Sequence, residues 1–285
     1  MTVSVLQPPS EPSGSRAPFS LAFVLSAGHS GSTLLSLLLN AHSQLHALSE
    51  IDKLSRFARD PERGRRPLAT PFWQAVRARY EAASGRSFAE LELRRPHGHA
   101  PVGDALAAWA IDYANLASAV ASVCGKRCLI DASKDAGQLD LLLSAQCFDV
   151  RVIQLVRDGR GVVHSYRRKY GSFARGYRHW SRSVHAARRL RARVPEKRWL
   201  ALRYEDLALA PERELRRVCE FLGVAFEPAM LRFRSARWEG ISGNRIAKAT
   251  GEAITLDERW RRELPPLQRA LFAVLGGRLN ARNGY

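Results

Sequence analysis

An α/β fold with a central parallel sheet flanked by helices is what this 285-residue sequence predicts, and three observations predict it. Short apolar runs alternate with longer amphipathic stretches from Leu21 onward, the pattern of strands joined by crossover helices. The first run passes through a tight Gly- and Ser-bearing loop directly into a helical stretch. Hydrophobic residues make up 46% of the chain, enough for a core on both faces of such a sheet.

The elements follow in order. Strands are predicted over residues 21–26, 45–48, 127–131, 150–156 and 198–203, where β-branched and other apolar residues cluster in short runs. A helix opens at Leu34 after the loop. The clearest helix covers 105–123, with Leu106, Trp109, Ala110, Tyr113, Ala117, Val120 and Val123 on one stripe. Helices over 212–222 and 265–275 each have Pro at or near the first turn, where its missing N–H costs nothing. Residues 53–102, rich in Arg, Pro and Gly, interrupt the alternation and read as an insertion within one domain over 19–285. Residues 1–18, with Pro8, Pro9, Pro12 and Pro18 and several Ser, read as a flexible tail without the basic start and apolar middle of a secretory signal. No uncharged apolar stretch approaches the roughly 18–20 residues of a membrane span.

Charge narrows the function. There are 45 Lys+Arg against 27 Asp+Glu, a net charge of +18. Residues 151–198 alone hold 15 Lys+Arg against Asp158 and Glu196. Two readings stay open for this segment: a solvated helical face, or a positive field for a polyanion such as a nucleotide, a nucleic acid or an acidic acceptor. The segment carries no zinc, RRM or KH signature, which disfavours a nucleic-acid-binding module. Cys124, Cys128, Cys147 and Cys219 lack metal-ligand spacing and read as buried thiols of a reducing, cytoplasmic protein. No metal site is predicted.

The loop Gly28-His29-Ser30-Gly31-Ser32-Thr33, between a strand and a helix start, aims backbone N–H groups and the positive helix end at one point. That is an anion site, or else a plain strand-to-helix turn with a Ser/Thr cap. A nucleoside triphosphatase loop would place Lys directly after the second Gly, and here Ser32 follows Gly31. An ATP-dependent phosphotransferase of the P-loop type, the alternative enzyme class, must do without that lysine.

The loop resembles the phosphosulfate-binding loop of sulfotransferases, in which a basic residue precedes Ser-Gly-Thr-Thr or a close variant. Two further blocks resemble the same family. Val156-Arg157-Asp158-Gly159 through Ser165 is similar to its second nucleotide element, in which an Arg at a strand end and a Ser two turns later hold the donor's 3′-phosphate. Leu202-Arg203-Tyr204-Glu205-Asp206, followed by Pro211, is similar to a third, in which Tyr204 matches a nucleotide-contacting residue. The tyrosylprotein sulfotransferases and their bacterial relatives look closest. The resemblance implies a P-loop-like three-layer fold and a donor, 3′-phosphoadenosine 5′-phosphosulfate (PAPS), bound without a metal. Such a donor is anionic at two ends and needs two anion sites, which the loop and the Arg157/Ser165 pair would supply at the carboxyl ends of parallel strands.

The resemblance also implies catalytic roles. Glu50, just past the second strand, matches the Glu base of the tyrosylprotein branch; read from the residues alone it is also a helix-start Glu beside a capping Ser49. Lys134, after the third strand, matches the Lys that stabilises charge on the transferring group, and otherwise reads as an exposed loop lysine. His29 departs from the family's Arg or Lys, and its protonated imidazole would replace the missing charge, with activity falling as pH rises. Ser242 and Arg245, in a Gly-containing polar loop, match a segment that folds over the nucleotide, or form a linker. The acceptor is expected to be a hydroxyl on a small molecule, glycan, lipid or tyrosyl group. Phe57, Phe72, Trp73, Tyr80, Tyr170 and Trp180 are candidates for its walls, or for the core.

Overall fold

The computed structural model describes residues 20–60, 62, 67–93, 101–241 and 253–285. Five strands, β1 (Ser20–Ser26), β2 (Leu45–Ser49), β3 (Cys128–Lys134), β4 (Val150–Val156) and β5 (Trp199–Arg203), form one sheet in the order β2-β3-β1-β4-β5. Every neighbouring pair is parallel. All five predicted strands are present, shifted at their ends by no more than three residues. β1 is central, paired with β3 on one side and β4 on the other, so Phe23 faces both Asp131 and Val152 in register.

The alternation along β1 builds two cores. Leu21, Phe23 and Leu25 point to one face, beneath α2 (Leu54–Arg59), α3 (Pro71–Ser84), α4 (Asp104–Cys124) and α5 (Ala136–Ala145). Ala22 and Val24 point to the other, beneath α1 (Ser32–Asn40) and the pair α8 (Tyr204–Leu209) and α9 (Pro211–Leu222). Small residues on that second face let Leu34, Leu35 and Leu38 of α1 settle directly on the sheet. Each fully buried Leu or Phe contributes on the order of 1.5–3 kcal/mol, so the central strand anchors both layers. Helices α6 (Gly159–Tyr170), α7 (Phe173–Arg191), α10 (Trp260–Glu263) and α11 (Pro266–Ala281) complete the described residues. Trp180 of α7 packs against Phe272 of α11, with ring centroids 5.0 Å apart.

Three aromatics offered as acceptor walls are core instead. Trp73 and Tyr80 recur with Val76 at i, i+3, i+7 on α3, and this stripe, not the cleft, takes them into the first core. Trp180 is equally buried, on the α7 face that meets α11. Of the four free cysteines, Cys128 and Cys219 are buried as expected, but Cys147 is exposed, because it lies in the turn after α5. Helix α4 is long and apolar enough to cross a membrane by length and composition. Its stripe of Trp109, Tyr113, Leu116 and Val120 packs into the first core, and its buried Asp112 accepts hydrogen bonds from Tyr80 Oη (3.1 Å) and from Arg86 Nη1 (2.8 and 2.9 Å).

Candidate active site

Strand order reverses at β1, where β3 and β4 leave to opposite sides, and such a switch point opens a crevice at the carboxyl ends of the strands. Here a cleft of about 830 Å³ lies over those ends. The β1–α1 loop forms its floor through Gly28, His29, Gly31, Ser32 and Thr33, whereas Ser30 is buried beneath.

The loop is held in an unusual backbone. His29 (φ 68°) and Gly31 (φ 92°) are both left-handed. At Gly31 a glycine is required twice over, since a Cβ there would also stand 2.5 Å from the Tyr204 ring. Gly31 is also the residue before α1 and supplies no capping side chain, which leaves the first-turn amides of the helix aimed at the cleft.

Behind the loop, Arg157 and Ser165 meet at His29. Arg157 Nη1 donates to the His29 carbonyl (2.9 Å), and Ser165 Oγ lies 3.2 Å from His29 Nδ1. The guanidinium stacks on Tyr204, 4.4 Å from the ring centroid, so four of the predicted donor-site residues, His29, Arg157, Ser165 and Tyr204, form one cluster. A fifth partner was not legible in the sequence. Asp257 accepts from Arg157 Nη2 through its carbonyl (2.6 Å), places a carboxylate oxygen 3.4 Å from the same nitrogen, and donates its N–H to Tyr204 Oη (3.0 Å). Hydrogen bonds from Arg259, with the charge of Arg157, hold the Asp257 carboxyl well below the usual range despite its burial. The turn that carries Arg157 is fastened from the far end of the chain. Asn280 Oδ1 accepts from Gly159 N–H (2.8 Å), and Tyr285 Oη bonds to Glu205, which itself accepts from Asp158 N–H (3.1 Å).

Across the cleft, β2 and β3 end side by side in left-handed residues, Ser49 (φ 60°) and Lys134 (φ 69°). Such strained turns concentrate at functional sites. They bring Glu50 and Lys134 into direct ion-pair contact, with Lys53 Nζ on the other Glu50 oxygen at 2.5 Å. Below them lies a network the sequence reading missed. Ser133 Oγ accepts from Asp52 N–H (3.2 Å) and donates to Asp131 (2.5 Å), which also accepts from Tyr113 Oη (2.9 Å). Burial pushes the Asp131 carboxyl up to about 7, against those hydrogen bonds, and raises Asp52 too, with help from Glu50. The only hint in the sequence is the polar run Asp131-Ala132-Ser133-Lys134 at the end of an apolar strand.

His179 of α7 was also unforeseen, because it lies 151 residues from the glycine it touches. Its Nε2 accepts from Gly28 N–H (2.8 Å), and its ring stacks on Tyr166 with centroids 5.3 Å apart. Burial, with Lys134 nearby, lowers its pKa. His29 is lowered further, to about 4, first by burial and then by Lys169, His179, Lys134 and Arg157. At neutral pH its imidazole is therefore uncharged, contrary to the expectation that a protonated ring replaces the family's Arg or Lys. The positive groups beside the loop in the cleft include Lys53, Lys134 and Lys169. Ser242 and Arg245 lie outside the described residues.

The sulfotransferase family profile matches residues 22–228. Among solved structures, the sulfotransferase domain of the Synechococcus PCC 7002 olefin synthase aligns with a TM-score of 0.58 at 23% identity, over 94% of this chain and 98% of that one. The sulfotransferase domain of the curacin biosynthetic pathway aligns at 0.56 and 20%, over 92% and 99%. At such identities the structural likeness is one of fold, and it is the α/β fold found here, a five-stranded parallel sheet flanked by helices. The family match, covering the loop, Glu50, Lys134, Arg157, Ser165 and Tyr204, shows that this chain belongs to the sulfotransferase family.

Proposed function

We propose that the protein transfers a sulfuryl group from PAPS to an acceptor hydroxyl, with Glu50 as the base. The observation that carries this reading is the Glu50–Lys134 ion pair at the ends of adjacent strands, facing the same cleft as the anion-ready loop. In the reaction the acceptor oxygen bonds to sulfur, the bond from sulfur to the phosphate oxygen breaks, and adenosine 3′,5′-bisphosphate departs. Glu50 takes the hydroxyl proton as that bond forms. Lys134 leaves Glu50 to neutralise charge on the transferring group, which frees the carboxylate oxygen the proton needs. The loop amides hold the phosphosulfate end, and Arg157, Ser165 and Tyr204 hold the 3′-phosphate end. The two-ended anion of this donor suits two separate anion sites, and the resemblance of the Glu50 position to the tyrosylprotein branch supports its role.

The test is thermal unfolding with adenosine 3′,5′-bisphosphate, with ATP and Mg²⁺, and with neither. Ligand at about 100 times its Kd stabilises the native state by about 2.7 kcal/mol. A rise in Tm with the bisphosphate that disappears in Arg157→Ala supports the reading. A rise only with ATP and Mg²⁺ overturns it in favour of phosphoryl transfer.

A further inference from the structure

Some arginines of this basic chain are matched with acids, Arg160 with Asp158, Arg216 with Glu212, Arg259 with Asp257 and Arg261 with Glu258 among them, and others, such as Arg188 and Arg189, have no carboxylate partner among the described residues. A row on one face of α7 belongs to the second group and faces the cleft. Arg175, Arg178 and Arg182 recur at i, i+3, i+7, line the cleft together with Glu50 and Lys134, and have no carboxylate partner among the described residues. The opposite face of the same helix, with Trp180, Val184 and Ala187, is buried, so packing sets the helix with this row, itself exposed, on the cleft side. Like charges three and four residues apart on one helix face repel, so a row with no protein counterion is a standing electrostatic strain that a bound anion would relieve.

The donor does not use this row in the reading above, where its two ends fall to the loop and to the Arg157 cluster. Seven residues of helix also span roughly 10 Å, more than a single phosphate or carboxylate covers. We infer that the acceptor itself is anionic, carrying on the molecule that bears the hydroxyl one or more phosphate or carboxylate groups that dock on Arg175, Arg178 and Arg182. Guanidinium groups match both anions in bidentate fashion. The row then works as a specificity device, since a neutral alcohol would enter the cleft without relieving the repulsion. The inference rests on the sulfuryl-transfer reading, because that reading identifies the cleft as the acceptor's.

The test uses the full chain saturated with adenosine 3′,5′-bisphosphate, titrated calorimetrically at low ionic strength with inorganic pyrophosphate, with citrate and, as a neutral control, with glycerol. Saturable binding of pyrophosphate or citrate but not glycerol is expected, and the tighter of the two identifies the anion class. In the triple variant R175Q/R178Q/R182Q that binding should weaken by roughly tenfold per arginine, a charge-assisted contact each. Bisphosphate affinity, which also reports that the variant is folded, should stay within about twofold. Equal anion binding by the variant would place the anion on the loop, in the space left by the sulfuryl group, and overturn the inference; so would the absence of saturable anion binding to the bisphosphate complex. Failure of the wild type to bind the bisphosphate at all is a different result, which removes the donor reading and the acceptor assignment with it.

Discussion

Replacing Gly31 by alanine asks two things of the loop at once. The residue sits at φ 92°, where an L side chain costs about 1–2 kcal/mol, and the new methyl would stand 2.5 Å from Cδ2 of Tyr204. That ring cannot swing aside freely, for it carries the Arg157 guanidinium on its face and its hydroxyl accepts from Asp257 N–H. Overpacking against a fixed neighbour costs about 1–3 kcal/mol, so Gly31→Ala should lose roughly 2–5 kcal/mol in all. Urea unfolding of wild type, Gly31→Ala, Tyr204→Ala and the double variant measures both parts. The double variant keeps the backbone strain and loses the collision, so the cycle should return a coupling of about 1–3 kcal/mol in the direction of relief. A loss below about 1 kcal/mol, or one that Tyr204→Ala leaves untouched, would refute the argument that these two segments meet through this contact.

Glu50→Gln should slow bisphosphate release from PAPS in the presence of acceptor by about 10²–10⁴-fold while leaving bisphosphate affinity within about twofold, measured by rapid-quench turnover and calorimetry. Burial, with Lys126 nearby, lowers the His46 pKa to about 4. Its unfolded form therefore binds the proton first, and its contribution to stability, complete above about 6.5, is lost as pH falls towards 4. Asp131, raised to about 7, acts in the opposite sense over much of the same range, so the quantity to compare is the urea midpoint of wild type minus that of His46→Gln at pH 7 and pH 5. That difference should shrink at pH 5. Tyr80→Phe removes a buried hydroxyl from Asp112 and should cost about 1–3 kcal/mol in urea unfolding, because the acceptor is a carboxylate.

The sheet was legible because each strand is a short, nearly continuous apolar run, as strands covered on both faces are. Local motifs carried the proposed donor-site residues as far as their elements, and the parallel topology then brought Arg157, Ser165 and Tyr204 to one place. Contacts between distant segments were not legible. Asp257 and His179 carry no motif, and only folding sets them against Arg157 and Gly28. Trp73 and Tyr80 were open to a better reading, since their helical spacing with Val76 already describes a core-facing stripe. The charge of His29 could not be read at all from the loop, because burial and its neighbours Lys169, His179, Lys134 and Arg157 decide it.

Asn280 and Tyr285, the clasp on the Arg157 turn, touch neither the loop nor Glu50, yet the geometry of the proposed donor pocket leans on them. A preparation clipped of its final six residues would look like an enzyme with a damaged nucleotide site, and a search for the lesion among the nucleotide contacts would find every one of them intact. For the same reason an affinity handle is better placed ahead of β1 than after Tyr285, and a drop in bisphosphate affinity should prompt a mass measurement of the C-terminus before any reinterpretation of the chemistry.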